Sequence, residues 1–110
     1  MLMVQEIMPQ ELAARLQAGE KITLLDVRHE WEHAIAALPE SQLIPLPILR
    51  QELDQIDPTE THLLVVYCHH GVRSLTGAAI VEMTGRTNVV SLHGGIDAWS
   101  QWIDPSIARY

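Results

Sequence analysis

The chain has 110 residues, 47% of them hydrophobic, which is enough for one domain with one core and too few for two. Seven Lys and Arg against 14 Asp and Glu give a formal charge of -7, which argues against a nucleic-acid backbone or an anionic membrane as the main partner while leaving room for a local basic pocket. The single cysteine, Cys68, excludes an internal disulfide and a cysteine-only metal site, so its thiol is either inert and buried or reactive.

The N-terminal residues Met1 to Glu6 carry no Lys or Arg ahead of an apolar run, so neither a secretory leader nor a membrane span is expected, and the cytoplasm is the expected location. Val4 to Ile7 reads as an edge strand. Pro9 suits a first helical position, and Leu12, Ala13 and Leu16 form an apolar stripe at helical spacing that Ala18-Gly19 ends. Ile22 to Val27 is a mostly apolar run of strand length, as in a strand covered on both faces. A short helix from Glu30 to Ala37 and a short strand at Leu43-Ile44 follow. Ile48, Leu49, Leu53 and Ile56 then repeat at helical spacing until Asp57-Pro58 breaks them. His62 to Tyr67 is the strongest strand and stops at Cys68. The segment from Arg73 through Leu75, Ala78, Ala79, Val81 and Glu82 predicts a helix closed by Gly85. Asn88 to Leu92 is a last strand and Gly95 to Trp102 a last helix. No repeat or linker interrupts the series, so one domain over 1–110 is expected. The alternation implies the α/β class, an open and mainly parallel sheet with helices on both faces.

Chemistry concentrates in Cys68-His69-His70-Gly71-Val72-Arg73-Ser74, between the end of a buried strand and the start of a helix. In open α/β sheets ligands bind at the carboxyl ends of the strands, so a cysteine at this point lies where a site belongs. Thiolate chemistry needs negative charge stabilised on sulfur. The helix N-terminus, inward-facing loop amides and the Arg73 cation would each supply that, and the same features make a cradle for a small oxyanion. Gly71 can take the backbone angles of a tight cradle.

With these residues in view, the sequence resembles the rhodanese-like domain family from about Val4 to about Ile103. Four blocks in order carry the resemblance: Leu24-Leu25-Asp26-Val27-Arg28 with Trp31-Glu32, then Ile44-Pro45-Leu46, the loop Cys68 to Ser74, and Gly94-Gly95 with Trp99. The resemblance implies a sheet of five strands and a loop cysteine that accepts sulfane sulfur as a persulfide and passes it on. Cys68 corresponds to that cysteine, and His69, His70, Gly71, Val72 and Arg73 to the residues that hold the donor anion and the persulfide. No cofactor or metal is implied. The expected partners are a small anionic sulfur donor such as thiosulfate and a cyanide or thiol acceptor, or a protein donor and acceptor. Where many relatives have a His-Ile-Pro-Gly-Ala stretch, this chain has Ala37-Leu38-Pro39-Glu40-Ser41, so a different turn is expected there.

Two rivals stand beside this expectation. A Cys-dependent phosphatase or arsenate reductase of related fold ranks low, because four residues separate Cys68 from Arg73, whereas the phosphatases resembled have a longer loop to fit phosphoryl. A non-catalytic or regulatory binding module on the same fold ranks below catalysis, because the loop keeps its cysteine. Asp26, Arg28 and Ser74 are placed as pocket support, with Asp26 and Arg28 expected in a structural ion pair with a neighbour such as Glu32. Of the six His, His69 and His70 are adjacent while His29, His33, His62 and His93 are scattered over different elements, and the His29/His33 pair falls short of a closed metal site, so no metal is assigned. Trp31, Trp99 and Trp102 are expected to anchor packing.

Overall fold

The computed structural model of the protein describes residues 4–58 and 62–110; Met1, Leu2 and Met3, the start of the stretch expected to lack a leader, lie outside the described residues. The described residues form five strands, β1 (Gln5–Ile7), β2 (Ile22–Asp26), β3 (Gln42–Leu43), β4 (Leu63–Tyr67) and β5 (Val89–Leu92), of which β2, β4 and β5 are mostly aliphatic and β-branched runs. They pair in the order β1-β5-β4-β2-β3, and every pairing is parallel. Among the described residues the α-helices are α1 (Pro9–Gln17), α2 (Glu30–Ile35), α3 (Arg73–Glu82) and α4 (Gly95–Trp102).

Successive side chains of a strand point to opposite faces, and β4 shows the consequence directly. Leu64, Val66 and, just past the strand, Cys68 pack into one cluster with Ala78 and Val81 of α3 and with Leu49. Val65 and Tyr67 pack into the other, with Leu12 of α1 and Ile96 and Trp99 of α4. A central strand buried on both faces has no polar side to show, which is why its sequence lacks alternation. All parallel strands put their carboxyl ends on one edge, so the ends of β2, β4 and β5 bring Asp26, Cys68 and the Gly94-Gly95 turn together there.

Several boundaries depart from the sequence expectation. The stretch expected as a helix over Ile48 to Ile56 is two tight 3-10 segments, Leu46–Gln51 and Leu53–Gln55. Pro47 stands in the first turn, where a missing amide suits either helix type, and Leu49 is fully buried in the cluster with α3, so the apolar spacing marks the buried side and not the hydrogen-bond pattern. The strand expected at Leu43-Ile44 lies one residue earlier, with the Ile44 amide donating to the Asp26 carbonyl at 2.9 Å just beyond it. Helix α2 stops at Ile35, since Ala36 is already extended. At the Ala37 to Ser41 turn, Glu40 holds φ at 61°, in the left-handed region that favours glycine. The chain thus carries a glycine-type backbone at the position where many relatives have Gly.

Trp99 is buried, as expected, but Trp31 and Trp102 are 60% and 69% exposed and anchor no core. Trp31 instead meets the ring of Tyr110 edge-on, with centroids 6.1 Å apart.

Candidate active site

Cys68 is 1% exposed and sits where β4 ends, so the strand fixes its Cα and the following loop turns around its sulfur. The Gly71 amide donates to Sγ at 3.2 Å and the Ser74 amide at 3.3 Å. The second comes from the first turn of α3, where amides have no partner within the helix. The thiol in turn donates to Ser74 Oγ at 3.4 Å, and Ser74 Oγ lies 2.7 Å from Ser91 Oγ of β5. Buried Ser74 and Ser91 thus give the sulfur a hydroxyl neighbour that can act as acceptor to the thiol and as donor to a thiolate. Ser91 was not among the residues singled out by sequence; a lone Ser in an apolar strand was its only signal.

The loop needs glycine at two points. Gly71 has φ of 93°, and a Cβ there would lie 2.9 Å from the Gly94 amide nitrogen. Gly95 has φ of 63°, and its Cβ would lie 2.5 Å from the Cys68 carbonyl oxygen. This close approach lets the Ile96 and Asp97 amides of α4 donate to the carbonyls of Cys68 and His69 at 2.9 and 3.1 Å. Helix α4 therefore grips the backbone at Cys68 and His69, while the loop amide of Gly71 and the α3 amide of Ser74 donate to the sulfur.

Arg73 does not point its charge at open space. Its two terminal nitrogens donate to the two carboxylate oxygens of Glu32 at 2.7 and 2.8 Å, tying the loop to α2. Glu32 is 2% exposed and also accepts from the His29 amide at 3.1 Å and the Tyr110 hydroxyl at 2.8 Å. The Arg73 hydrogen bonds first, with those from His29 and Tyr110, outweigh burial and hold the Glu32 carboxyl down at about 2. Asp26 and Arg28 form the expected structural pair, but with each other: Arg28 Nε and Nη2 donate to the Asp26 carboxylate at 2.9 and 2.7 Å. The expected link to Glu32 reduces to its backbone carbonyl, 3.5 Å from Arg28 Nη1. Arg28 is fully buried; burial opposes its charge, yet Asp26 and Tyr110 raise its pKa overall.

His69 and His70 stack with centroids 3.9 Å apart, and Tyr110 stacks on the other side of His69 at 4.0 Å. Burial, then the neighbouring His70, lower the His69 pKa. Its Nε2 is buried without a hydrogen-bond partner among the described residues. Val72, at the crest of the loop, is 72% exposed. Among the described residues no three His, Cys, Asp or Glu side chains gather as metal ligands would.

The Glu32 carboxyl is held below the unfolded value of 4.5, so its contribution to stability is fully present above about pH 4.5 and is lost as pH falls through about 2. We expect Glu32→Gln to lose about 2 kcal/mol at neutral pH, the buried-pair figure discounted because Arg73 is a third exposed. The variant should also lose less further stability than the wild type on acidification to about pH 3, measured as urea midpoints. Parallel pH profiles for the two proteins would show that the ion pair contributes nothing to acid sensitivity.

Residues 8–101 match the rhodanese-like domain profile. The chain is 35% identical over 104 residues to the probable adenylyltransferase/sulfurtransferase MoeZ of Mycobacterium tuberculosis, covering 94% of this chain and 26% of that protein. It thus spans about a quarter of that relative's length. It is 31% identical over 106 residues to a sulfurtransferase of Allochromatium vinosum, covering 96% of this chain and 97% of that one. Among solved structures, a rhodanese-related protein from Thermoplasma volcanium superposes with a TM-score of 0.81 at 26% identity, over 96% of this chain and 99% of the other. With the profile spanning most of the sequence and the cysteine loop seated at the end of β4, the chain belongs to the rhodanese-like domain family.

Proposed function

We propose that the protein is a sulfurtransferase that carries sulfane sulfur as a persulfide on Cys68. The observation that supports this most is the pair of amides, Gly71 and Ser74, directed at Sγ at 3.2 and 3.3 Å. Donors fixed on the sulfur stabilise a thiolate and afterwards the charge on the persulfide. In the first half-reaction the Cys68 thiolate attacks the outer sulfur of thiosulfate. The bond from that sulfur to the sulfonate breaks and sulfite leaves with the electron pair. Cyanide or a thiolate then attacks the terminal sulfur of the persulfide, and the Cys68 thiolate is released, giving ping-pong kinetics. His69 to Arg73 line the donor. Because Glu32 balances the Arg73 charge, the loop amides are the chief anion ligands and Arg73 chiefly anchors the loop.

A relay from a protein donor to a protein acceptor is a second reading favoured by one observation. Trp31 and Ile35 of α2 are 60% and 48% exposed, and Val72 of the loop is 72% exposed, on segments that the Arg73–Glu32 pair joins. Exposed apolar side chains beside a buried nucleophile suit a protein surface better than cyanide. The cytoplasm is the proposed location, where a lone thiol stays reduced.

The test is to incubate the protein with thiosulfate and, separately, with a persulfidated small thiol, and to record intact mass. One added sulfur, removed by cyanide with formation of thiocyanate, is the expected result. Loading by the persulfide alone would select the relay. No added sulfur from either donor would end the sulfurtransferase reading.

A further inference from the structure

Tyr110 lies beyond the four blocks of the family resemblance and beyond residues 8–101 of the profile match, yet it reaches the supports at both ends of the cysteine loop. At the first end, its ring stacks on that of His69, with 7° between the ring planes and centroids 4.0 Å apart. At the second, its hydroxyl donates to Glu32 Oε2 at 2.8 Å, the oxygen that also accepts from Arg73 Nη2. The same hydroxyl oxygen accepts from Arg28 Nη1 at 2.6 Å. One phenol therefore joins two ion pairs, Asp26–Arg28 at the end of β2 and Glu32–Arg73 at the start of α3. Burial first, and the bond to Glu32, keep that phenol protonated, with its pKa at about 12, so it is a constant donor at working pH.

We propose that Tyr110 is a positioning residue for sulfur transfer: its hydroxyl couples Arg28 to Glu32 and so fixes the loop from His69 to Arg73 around Cys68. The name of the reaction rests on the sulfurtransferase reading; the coupling rests on geometry alone. Tyr110 acts through Glu32 and His69. Loosening those supports has two opposite effects on a thiol that is 1% exposed and pinned by two amides. Fluctuation of the loop exposes the sulfur to a small reagent, while the prepared amide cradle for donor and persulfide is lost.

Tyr110→Phe isolates the hydroxyl, since the ring on His69 is retained. With one cysteine in the chain, intact mass follows two rates at the same sulfur: uptake of sulfur from thiosulfate or a small persulfide, and alkylation by iodoacetamide. We expect sulfur uptake to fall about tenfold and alkylation to rise about threefold, with the melting temperature within a few degrees of wild type. In the double variant with Glu32→Gln, both rates should equal those of Glu32→Gln alone, because the hydroxyl acts through that carboxylate. Wild-type rates in Tyr110→Phe, both rates moving in the same direction, or effects that multiply in the double variant would each overturn the proposal. If the wild-type protein takes up no sulfur at all, the sulfurtransferase reading fails, and the alkylation rates with their coupling to Glu32 still decide the positioning role.

Discussion

Cys68→Ser is expected to take up no sulfur from thiosulfate or a persulfide and to form thiocyanate no faster than buffer, a loss of at least about a thousandfold. The substitution is near isosteric, and the amides of Gly71 and Ser74 that now face Sγ would face a hydroxyl instead. Stability should therefore change by about 1 kcal/mol or less, which separates chemistry from folding. A serine oxygen cannot hold sulfane sulfur in an S–S bond, so the proposed persulfide cannot form while the cradle stays. Retained thiocyanate formation at more than a few per cent of wild type would mean that sulfur passes directly between donor and acceptor. The protein would then act as a binding platform, and the amide pair would be an anion site without a nucleophile.

How much of this site was legible beforehand follows from how local each part is. The strand, loop and helix around Cys68 are contiguous, and the apolar run His62 to Tyr67 followed by Gly71 and Arg73 announces them within a dozen or so residues. The glycine at 71 is needed for a positive φ, which a sequence can suggest. What stayed hidden depends on pairing at a distance. Glu32 is on α2, and only the order of strands in the sheet brings it to Arg73. The sequence places Arg73 beside the cysteine loop but gives no hint of its acidic partner 41 positions away. Tyr110 had no signal at all: residues 104–110 have neither helical nor strand periodicity, and a single aromatic there reads as tail. The misjudged 3-10 segments share a cause with Trp31 and Trp102. Apolar spacing predicts which side is buried better than it predicts hydrogen-bond pattern, and aromatic identity alone does not predict burial.

The largest structural effect is expected from Gly95→Ala, measured against Gly85→Ala. Both glycines have positive φ, 63° and 93°, so both substitutions incur the left-handed penalty of about 1 kcal/mol. Their surroundings differ completely. A Cβ on Gly85 meets nothing within 4 Å, whereas one on Gly95 falls 2.5 Å from the Cys68 carbonyl oxygen and 2.6 Å from the His69 carbonyl carbon. These atoms are backbone, so no rotamer change relieves the overlap, and α4 must move off the loop. That movement breaks the bonds from the Ile96 and Asp97 amides to the carbonyls of Cys68 and His69. Two buried hydrogen bonds and the backbone strain together give a loss of about 4 kcal/mol, or roughly 15–25 °C in melting temperature, against about 1 kcal/mol for Gly85→Ala. Because the displaced backbone is that of Cys68, the proposed nucleophile, sulfur uptake at a temperature where Gly95→Ala is still folded should fall by about a hundredfold. Equal melting temperatures for the two variants would show that α4 yields freely at its first turn. Loss of stability with normal sulfur uptake would show that the α4 grip on Cys68 is structural only, leaving the Gly71 and Ser74 amides to position the sulfur unaided.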